Sequence, residues 1–445
     1  MLKTFKKGGI HVPEYKLTAE KPIVDIPAPR EVVVTFSQHI GAMAVCDVKP
    51  GDHVVKGQII AKANGVVSAN IHTPISGKVK TIGKWKTAFG YPCDTVTIVA
   101  SDEDVQYDAE HGFEPRTEEE IKALTPEDIK EIVADAGVVG LGGATFPTKV
   151  KLCPPPGMHA DILIINGAEC EPFLTNDHAL MLACPDEIIE GVKYIMRATG
   201  VNRAVIGVED NKRDAICNLE KHLEGESGIS VMPLKTKYPQ GGEKQLIKAV
   251  TGKEVPNGAL PISVGAIVQN VGTAYAIYRA VKLREPLISR ILTVSGKHVQ
   301  SPGNFRVFLG TPLKTVIEAA GGIPEDTGKI ILGGPMMGKA IVSIDAPTIK
   351  GVSGVVLIPE DEARRTQENP CIRCGACVEA CPMGLEPYML MPLTENGEWE
   401  MLNEHGVRNC IECGCCAYSC PSNRPLLDFI RLGKFKVNEM MRKKS

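Results

Sequence analysis

No stretch of this 445-residue chain approaches the ~18 consecutive apolar residues that a membrane-spanning helix needs, so no bilayer-crossing segment is expected. An excess of one charge is also missing: 50 Lys and Arg stand against 53 Asp and Glu, the formal net charge is −3, and no long basic stripe occurs. That balance excludes nucleic acid as an expected partner. Aromatic residues make up only 5% of the chain, too few for a base-stacking surface. The first residues, MLKTFKKGGIHVPEYK, are basic but have no apolar segment behind them, so they are not read as a secretory signal. The chain is expected inside the cell, where thiols stay reduced.

Cysteine, by contrast, is plentiful, and eight of the 15 fall into two matching runs. Cys371, Cys374, Cys377 and Cys381 form C-x2-C-x2-C-x3-C before Pro382, and Cys410, Cys413, Cys416 and Cys420 repeat it before Pro421. This is the ligand spacing of a two-cluster ferredoxin, in which three thiolates on a tight loop hold one cubane and the fourth reaches the other. Cys371, Cys374, Cys377 and Cys420 are therefore assigned to one [4Fe–4S] cluster, and Cys410, Cys413, Cys416 and Cys381 to the second. The competing reading is zinc, but structural zinc sites usually place two ligand pairs far apart. Disulfides would need an oxidising compartment. Cys415 breaks the spacing and is read as a spectator.

The organisation predicted along the chain is multidomain, α/β and α+β. Residues 1–115 are rich in β-branched residues and turn glycines, and the stretch 49–83 reads as short strands joined by tight turns. This resembles a biotinyl/lipoyl-like barrel-sandwich hybrid, but without the Met-Lys-Met that would carry a swinging arm. His39 and His72 are read as structural hydrogen-bonders. Residues 116–285 alternate helix and apolar strand, as expected of an α/β domain. The helix over 117–136 opens on Thr117 with Glu120 three residues on, the strands are expected at Ile162–Ile165 and Ala204–Val208, and a helix at Glu187–Ala198. Residues 286–360 read strand, turn, strand, helix, resembling a β-grasp module of the soluble ligand-binding type, and include the loop GGPMMGK. Residues 361–445 are expected to form an α-helical ferredoxin-like domain. Its basic tail is read either as a solvated end or as contact with an acidic partner or anionic membrane surface.

The segment GVVGLGGATFPTKVK, Gly137 to Lys151, is neither a Walker A loop nor G-x-G-x-x-G, since Thr145 stands where the third glycine would fall. Glycines at 140, 142 and 143 would let backbone amides approach a phosphate or flat ring; the alternative is a plain helix–strand turn. Three more segments make the pattern specific. GLGGATFPTKVK resembles GRGGAGFPTGLK of the NADH-binding flavoprotein subunit of respiratory complex I, NGAECEP resembles its NADESEP, YPQGGEKQL its YICGEETAL, and VQNVGT its NNVET. The N-terminal FKKGGIHVPEYK and SQHIGAMAVC are not complex I features. They look like the C subunit of the Rnf complex, a membrane-bound, ion-moving ferredoxin:NAD oxidoreductase, and that resemblance runs through the whole chain.

The resemblance implies a non-covalent FMN site. Gly140, Gly142 and Gly143 would line the loop beneath the flavin, and Lys151 would contact its phosphate. Asn166, Asn270 and Thr273 would hydrogen-bond the flavin and ribityl chain, and Gly241 and Glu243 would close the pocket. Phe146 would stack on NAD(H) and Glu171 would bind it; otherwise Glu169 and Glu171 are surface carboxylates. Cys170 is expected to be buried and inert. Ala168 and Gly242 replace acidic residues of the complex I pattern. No side-chain nucleophile is required, because hydride transfer is cofactor chemistry. The function implied is that of a peripheral electron-transfer subunit. It would exchange hydride between NAD(H) and FMN and pass single electrons through two clusters. It would sit on the cytoplasmic face of the bacterial inner membrane with the other subunits of an Rnf-type complex, and exchange electrons with ferredoxin indirectly. The alternatives are a soluble diaphorase module and a non-catalytic iron–sulfur wire or scaffold subunit without nucleotide binding.

Overall fold

The protein is described from a computed structural model over residues 2–444. Antiparallel strands Glu31–Thr35, Pro92–Val99, Gly77–Lys86 and His53–Val54 form one sheet of the N-terminal sandwich, and Val45–Cys46, Ile59–Lys62 and Ile71–His72 form the other. Val32, Val34, Val54, Ile60, Ile71, Val96 and Ile98 fill the space between them. His39 is held by its neighbours, with Nε2 accepting from the Ala69 amide at 3.2 Å. His72 is buried, and burial drives its pKa down to about 3. Both imidazoles are structural residues of this layer.

The strands of the two sandwich sheets start at Glu31. Upstream, Lys3 bridges to Leu234, Ile10 to Tyr238, and strand Ile23–Asp25 adds to the edge of a different sheet, pairing in parallel with Gly303–Phe308. The first residues are thus a strap laid over the later domains.

The next unit is a parallel sheet ordered Ile229–Leu234, Ala204–Glu209, Ile162–Gly167, Ala266–Asn270. Its strands are near-continuous apolar runs because both faces are covered. Leu163, Ile165, Ile206 and Ile267 pack under helices Pro185–Thr199 and Val271–Leu283, and Ile162, Ile164, Val205 and Val268 under Glu243–Thr251. The helix expected over 117–136 is two helices, Glu118–Ala123 and Pro126–Asp135. Pro126 forbids continuation through its neighbour, and Thr125 with Asp128 supplies a second capping box.

The β-grasp sheet runs Ile23–Asp25, Gly303–Phe308, Ser289–Ser295, Gly354–Pro359, Thr327–Leu332, Lys339–Ala340, with helix Leu313–Ala319 packed on it. A helical unit follows, in which Pro387–Glu395, Trp399–Glu404 and Leu426–Lys444 surround the cysteine loops. Among the described residues no helix is long and apolar enough to cross a membrane.

Candidate functional site

The parallel sheet reverses direction of growth between Ile162–Gly167 and Ala266–Asn270, which lie side by side although distant in sequence. Ligands of open α/β sheets bind at the carboxyl ends of the strands flanking such a switch point. Asn270 ends one strand, Asn166 is the penultimate residue of the other, and the two are register partners. Asn166 Nδ2 donates to Gly241 O at 2.9 Å, so the loop before helix Glu243–Thr251 is tied to the same edge. Asn270 caps helix Val271–Leu283 through Gly272 N (2.8 Å) and donates to Asp177 Oδ2 (2.7 Å).

The glycine loop folds over this edge. Leu141 N donates to Thr273 Oγ1 at 2.9 Å, and a Cβ on Gly142 would press on Asn270 Cβ at 3.2 Å. Gly143 has φ +135°, and a Cβ there would meet nothing within 4 Å. Its backbone therefore faces open space, the form of bed that a flat ring needs. Lys151 Nζ lies 2.6 Å from Glu243 Oε1 and donates to Val268 O at 3.0 Å. Phe146 is half-buried at the end of the loop, where its carbonyl accepts from Gly140 N. All nine residues expected at the flavin thus gather at one end of the sheet.

The adjoining loop, Ala168 to Leu174, bends through positive φ at Glu169 (46°) and Phe173 (67°). Its carbonyls converge on two lysines: Lys16 Nζ donates to Glu169 O, Glu171 O and Leu174 O at 2.7–2.9 Å, and Lys212 Nζ to Ala168 O at 2.7 Å. Glu169 turns inward and caps helix Asn176–Ala183 through the amides of Asp177 and His178. Burial first, then the Glu169 carboxylate, pushes Asp177 up to about 7. Cys170 is half-buried, its thiol driven up by burial, and its Sγ accepts from Gly241 N at 3.4 Å. The Glu171 carboxylate, expected at the nucleotide, accepts from the amides of Met336 (3.0 Å) and Met337 (2.8 Å), with the Tyr238 hydroxyl 3.2 Å away. Burial raises its pKa. Asp177 and Tyr238 join this network without having been expected there; Tyr238 opens the segment YPQGGEKQL, and Asp177 lies beyond NGAECEP.

The cysteine runs share one local geometry. Arg373 and Glu412 have φ of 54° and 59°, Gly375 and Gly414 of 80° and 78°, and Gly384 and Asn423 of 66° and 51°. Cys381, Cys410, Cys413, Cys415 and Cys416 line a single cavity with Leu390 and Ile430. Burial raises Cys410 to about 11, and the Cys413 and Cys381 sulfurs add to that. Cys381 and Cys410 accept from the amides of Leu385 and Glu412, both at 3.3 Å. Cys415 is wholly buried; its thiol is held up first by the hydrogen bond shared with Cys413, and the same bond holds Cys413 down. In the other set, Cys371 and Cys374 are exposed, Cys420 is half-buried, and Cys377 is buried near Cys420 and Cys371. Among the described residues no three or more His, Cys, Asp or Glu side chains converge tightly enough for a single metal ion. Five thiols around one cavity, four of them in the expected ligand set, suit a larger group.

Comparison with known proteins covers each unit. Residues 3–104 match the RnfC barrel sandwich hybrid domain, 133–279 the Nuo51 FMN-binding domain, 291–340 the SLBB domain and 370–424 the 4Fe-4S dicluster domain. The chain is 45% identical over 433 residues to the C subunit of the proton-translocating ferredoxin:NAD(+) oxidoreductase complex of Clostridium ljungdahlii, covering 97% of this chain and 93% of that one. It is 42% identical over 438 residues to the C subunit of the Na(+)-translocating ferredoxin:NAD(+) oxidoreductase complex of Acetobacterium woodii, covering 98% of each. With the C subunit of the ion-translocating oxidoreductase complex of Rhodobacter capsulatus it shares 43% identity, over 98% of this chain and 84% of that one. An NAD+-reducing [NiFe]-hydrogenase in the air-oxidized state shares the fold, with a TM-score of 0.51 over 95% of this chain and 88% of that one, at 16% identity. Near full-length identity to three such subunits, with an FMN-binding domain and a dicluster domain in one chain, establishes that the protein belongs to the family of C subunits of ion-translocating ferredoxin:NAD(+) oxidoreductase complexes.

Proposed function

We propose that the chain exchanges electrons between NAD(H) and partner subunits of a membrane-bound, ion-translocating complex, as a peripheral subunit on the cytoplasmic face of the bacterial inner membrane, with ferredoxin an indirect partner. The observation that carries this reading is adjacency. Gly241, at the proposed flavin edge, touches Cys170, and Tyr238, on the same loop, donates to Cys413 O at 2.8 Å. When bound, FMN and two [4Fe–4S] clusters supply the conversion between a two-electron hydride and single electrons.

The chain's own residues bind and orient. Gly140, Gly142 and Gly143 offer backbone to the ring. Asn166, Asn270, Thr273, Gly241 and Glu243 frame it, and Lys151 reaches a phosphate from its ion pair with Glu243. Phe146 is the proposed nicotinamide-nucleotide contact. Cys371, Cys374, Cys377 and Cys420 are the proposed ligands of one cluster, and Cys410, Cys413, Cys416 and Cys381 of the other. The raised thiols of Cys381, Cys410 and Cys416 mean that assembly releases protons, and the amides of Leu385 and Glu412 remain as hydrogen bonds to the ligand sulfurs.

Anaerobically purified, reconstituted protein tests the proposal. The expected result is flavin absorbance, about eight irons per chain and bleaching by NADH. Iron without flavin would replace this reading with that of an electron-wire subunit. Zinc in place of iron would end it.

A further inference from the structure

Glu171 sits on the flavin-side loop, yet both amides that donate to its carboxylate come from another unit. Oε2 accepts from Met336 N at 3.0 Å and Oε1 from Met337 N at 2.8 Å, in the β-grasp loop GGPMMG. Two successive amides turned on one carboxylate make an anion-holding concavity. The fit is close: a Cβ on Gly334 would stand 2.6 Å from Glu171 Cβ and nearer still to its carboxylate. The far side of that loop rests on the second cysteine run, where a Cβ on Gly414 would come within 3.0 Å of Met336 O. Arg431 donates to Met337 O at 2.9 Å and pairs with Glu412, which Lys434 also holds at 2.9 Å. Tyr238 closes the circuit, its hydroxyl 3.2 Å from Glu171 and 2.8 Å from Cys413 O.

We propose that Glu171 is a positioning residue for electron transfer: with the amides of Met336 and Met337 it makes a clasp through which the β-grasp loop holds the Cys410–Cys416 loop against the flavin edge. This rests on the function proposed above. Electron tunnelling falls exponentially with the gap, so a clasp that fixes the gap fixes the rate. The role of the β-grasp module in this chain is then mechanical, as the spacer between two redox groups.

The test uses the full chain, reconstituted without oxygen, with flavin and iron counted in every sample. After mixing with NADH, flavin bleaching and the cluster signal are followed separately. Gly334→Ala wedges the clasp open; it should leave flavin bleaching at the wild-type rate and slow cluster reduction below the wild-type rate. E171Q should slow cluster reduction to a similar degree. If its only effect is a higher KM for NADH, Glu171 belongs to the nucleotide site and the proposal is overturned. Amide hydrogen exchange gives a readout independent of turnover. Met336 and Met337 should exchange with the slow core in the wild type and quickly in both variants; fast exchange in the wild type would also overturn it. Wild-type flavin that NADH fails to bleach sinks the functional reading instead, and the amide exchange then still decides the clasp.

Discussion

Replacing Lys350 by methionine should change how stability responds to pH. Lys350 is wholly buried where three units meet. Its ammonium donates to Asn70 O in the sandwich (2.8 Å) and to Gly137 O at the start of the glycine loop (2.7 Å), while its amide donates to Gln38 Oε1 (3.1 Å). The titratable groups facing it are His39 and His72, both held neutral mainly by burial. Burial alone drives Lys350 from 10.5 to about 7. That shift corresponds to about 5 kcal/mol of penalty on the charged form. The unfolded lysine binds a proton up to its ordinary pKa, whereas the folded one releases it near 7. Stability therefore rises with pH across 7 to 10.5, by about 1.4 kcal/mol per unit at most, and is flat below. Methionine removes the titration but leaves two carbonyls without a donor, at about 1–3 kcal/mol each. The variant should thus be the less stable protein at the alkaline end of the window and gain on the wild type as pH falls to 7. Melting temperatures of both proteins, measured by calorimetry in steps of pH at fixed ionic strength, give the difference directly. A gap that stays constant across the window would refute the reasoning.

Gly143→Ala places a methyl in the open space above the loop, where it meets no protein atom. FMN affinity, read from flavin fluorescence, should fall about tenfold or more, equivalent to ~1.4 kcal/mol, and unchanged retention would move the ring elsewhere. Cys415→Ala should keep about eight irons, whereas Cys413→Ala should lose about four. Equal loss in both would make Cys415 a ligand.

The cysteine runs were legible because cluster ligation imposes a fixed spacing, and the structure repeats its backbone in both runs. The positive φ of Arg373 and Glu412 left no mark, since neither residue type announces a left-handed conformation. The buried parallel strands are readable as apolar runs; that Asn166 and Asn270 stand side by side is visible only from the sheet topology. Strand Ile23–Asp25 was not readable: three residues at a sheet edge carry no periodicity, and their partner lies at Asn304–Arg306. The sequence pattern places Glu171 beside the flavin edge but says nothing of the protein donors that its carboxylate meets. Its actual donors are 165 and 166 residues away, beyond the reach of any local pattern.

The strap at the start of the chain has a consequence for how the protein is made. Gly9 donates to Ala380 O, and a side chain on Gly8 would collide with the backbone of Cys381. Ribosomal synthesis delivers those partners nearly last. The opening residues must therefore stay undocked while the sandwich and the parallel sheet fold behind them. They can close over the edge of the second cysteine site only after Cys381 has been made.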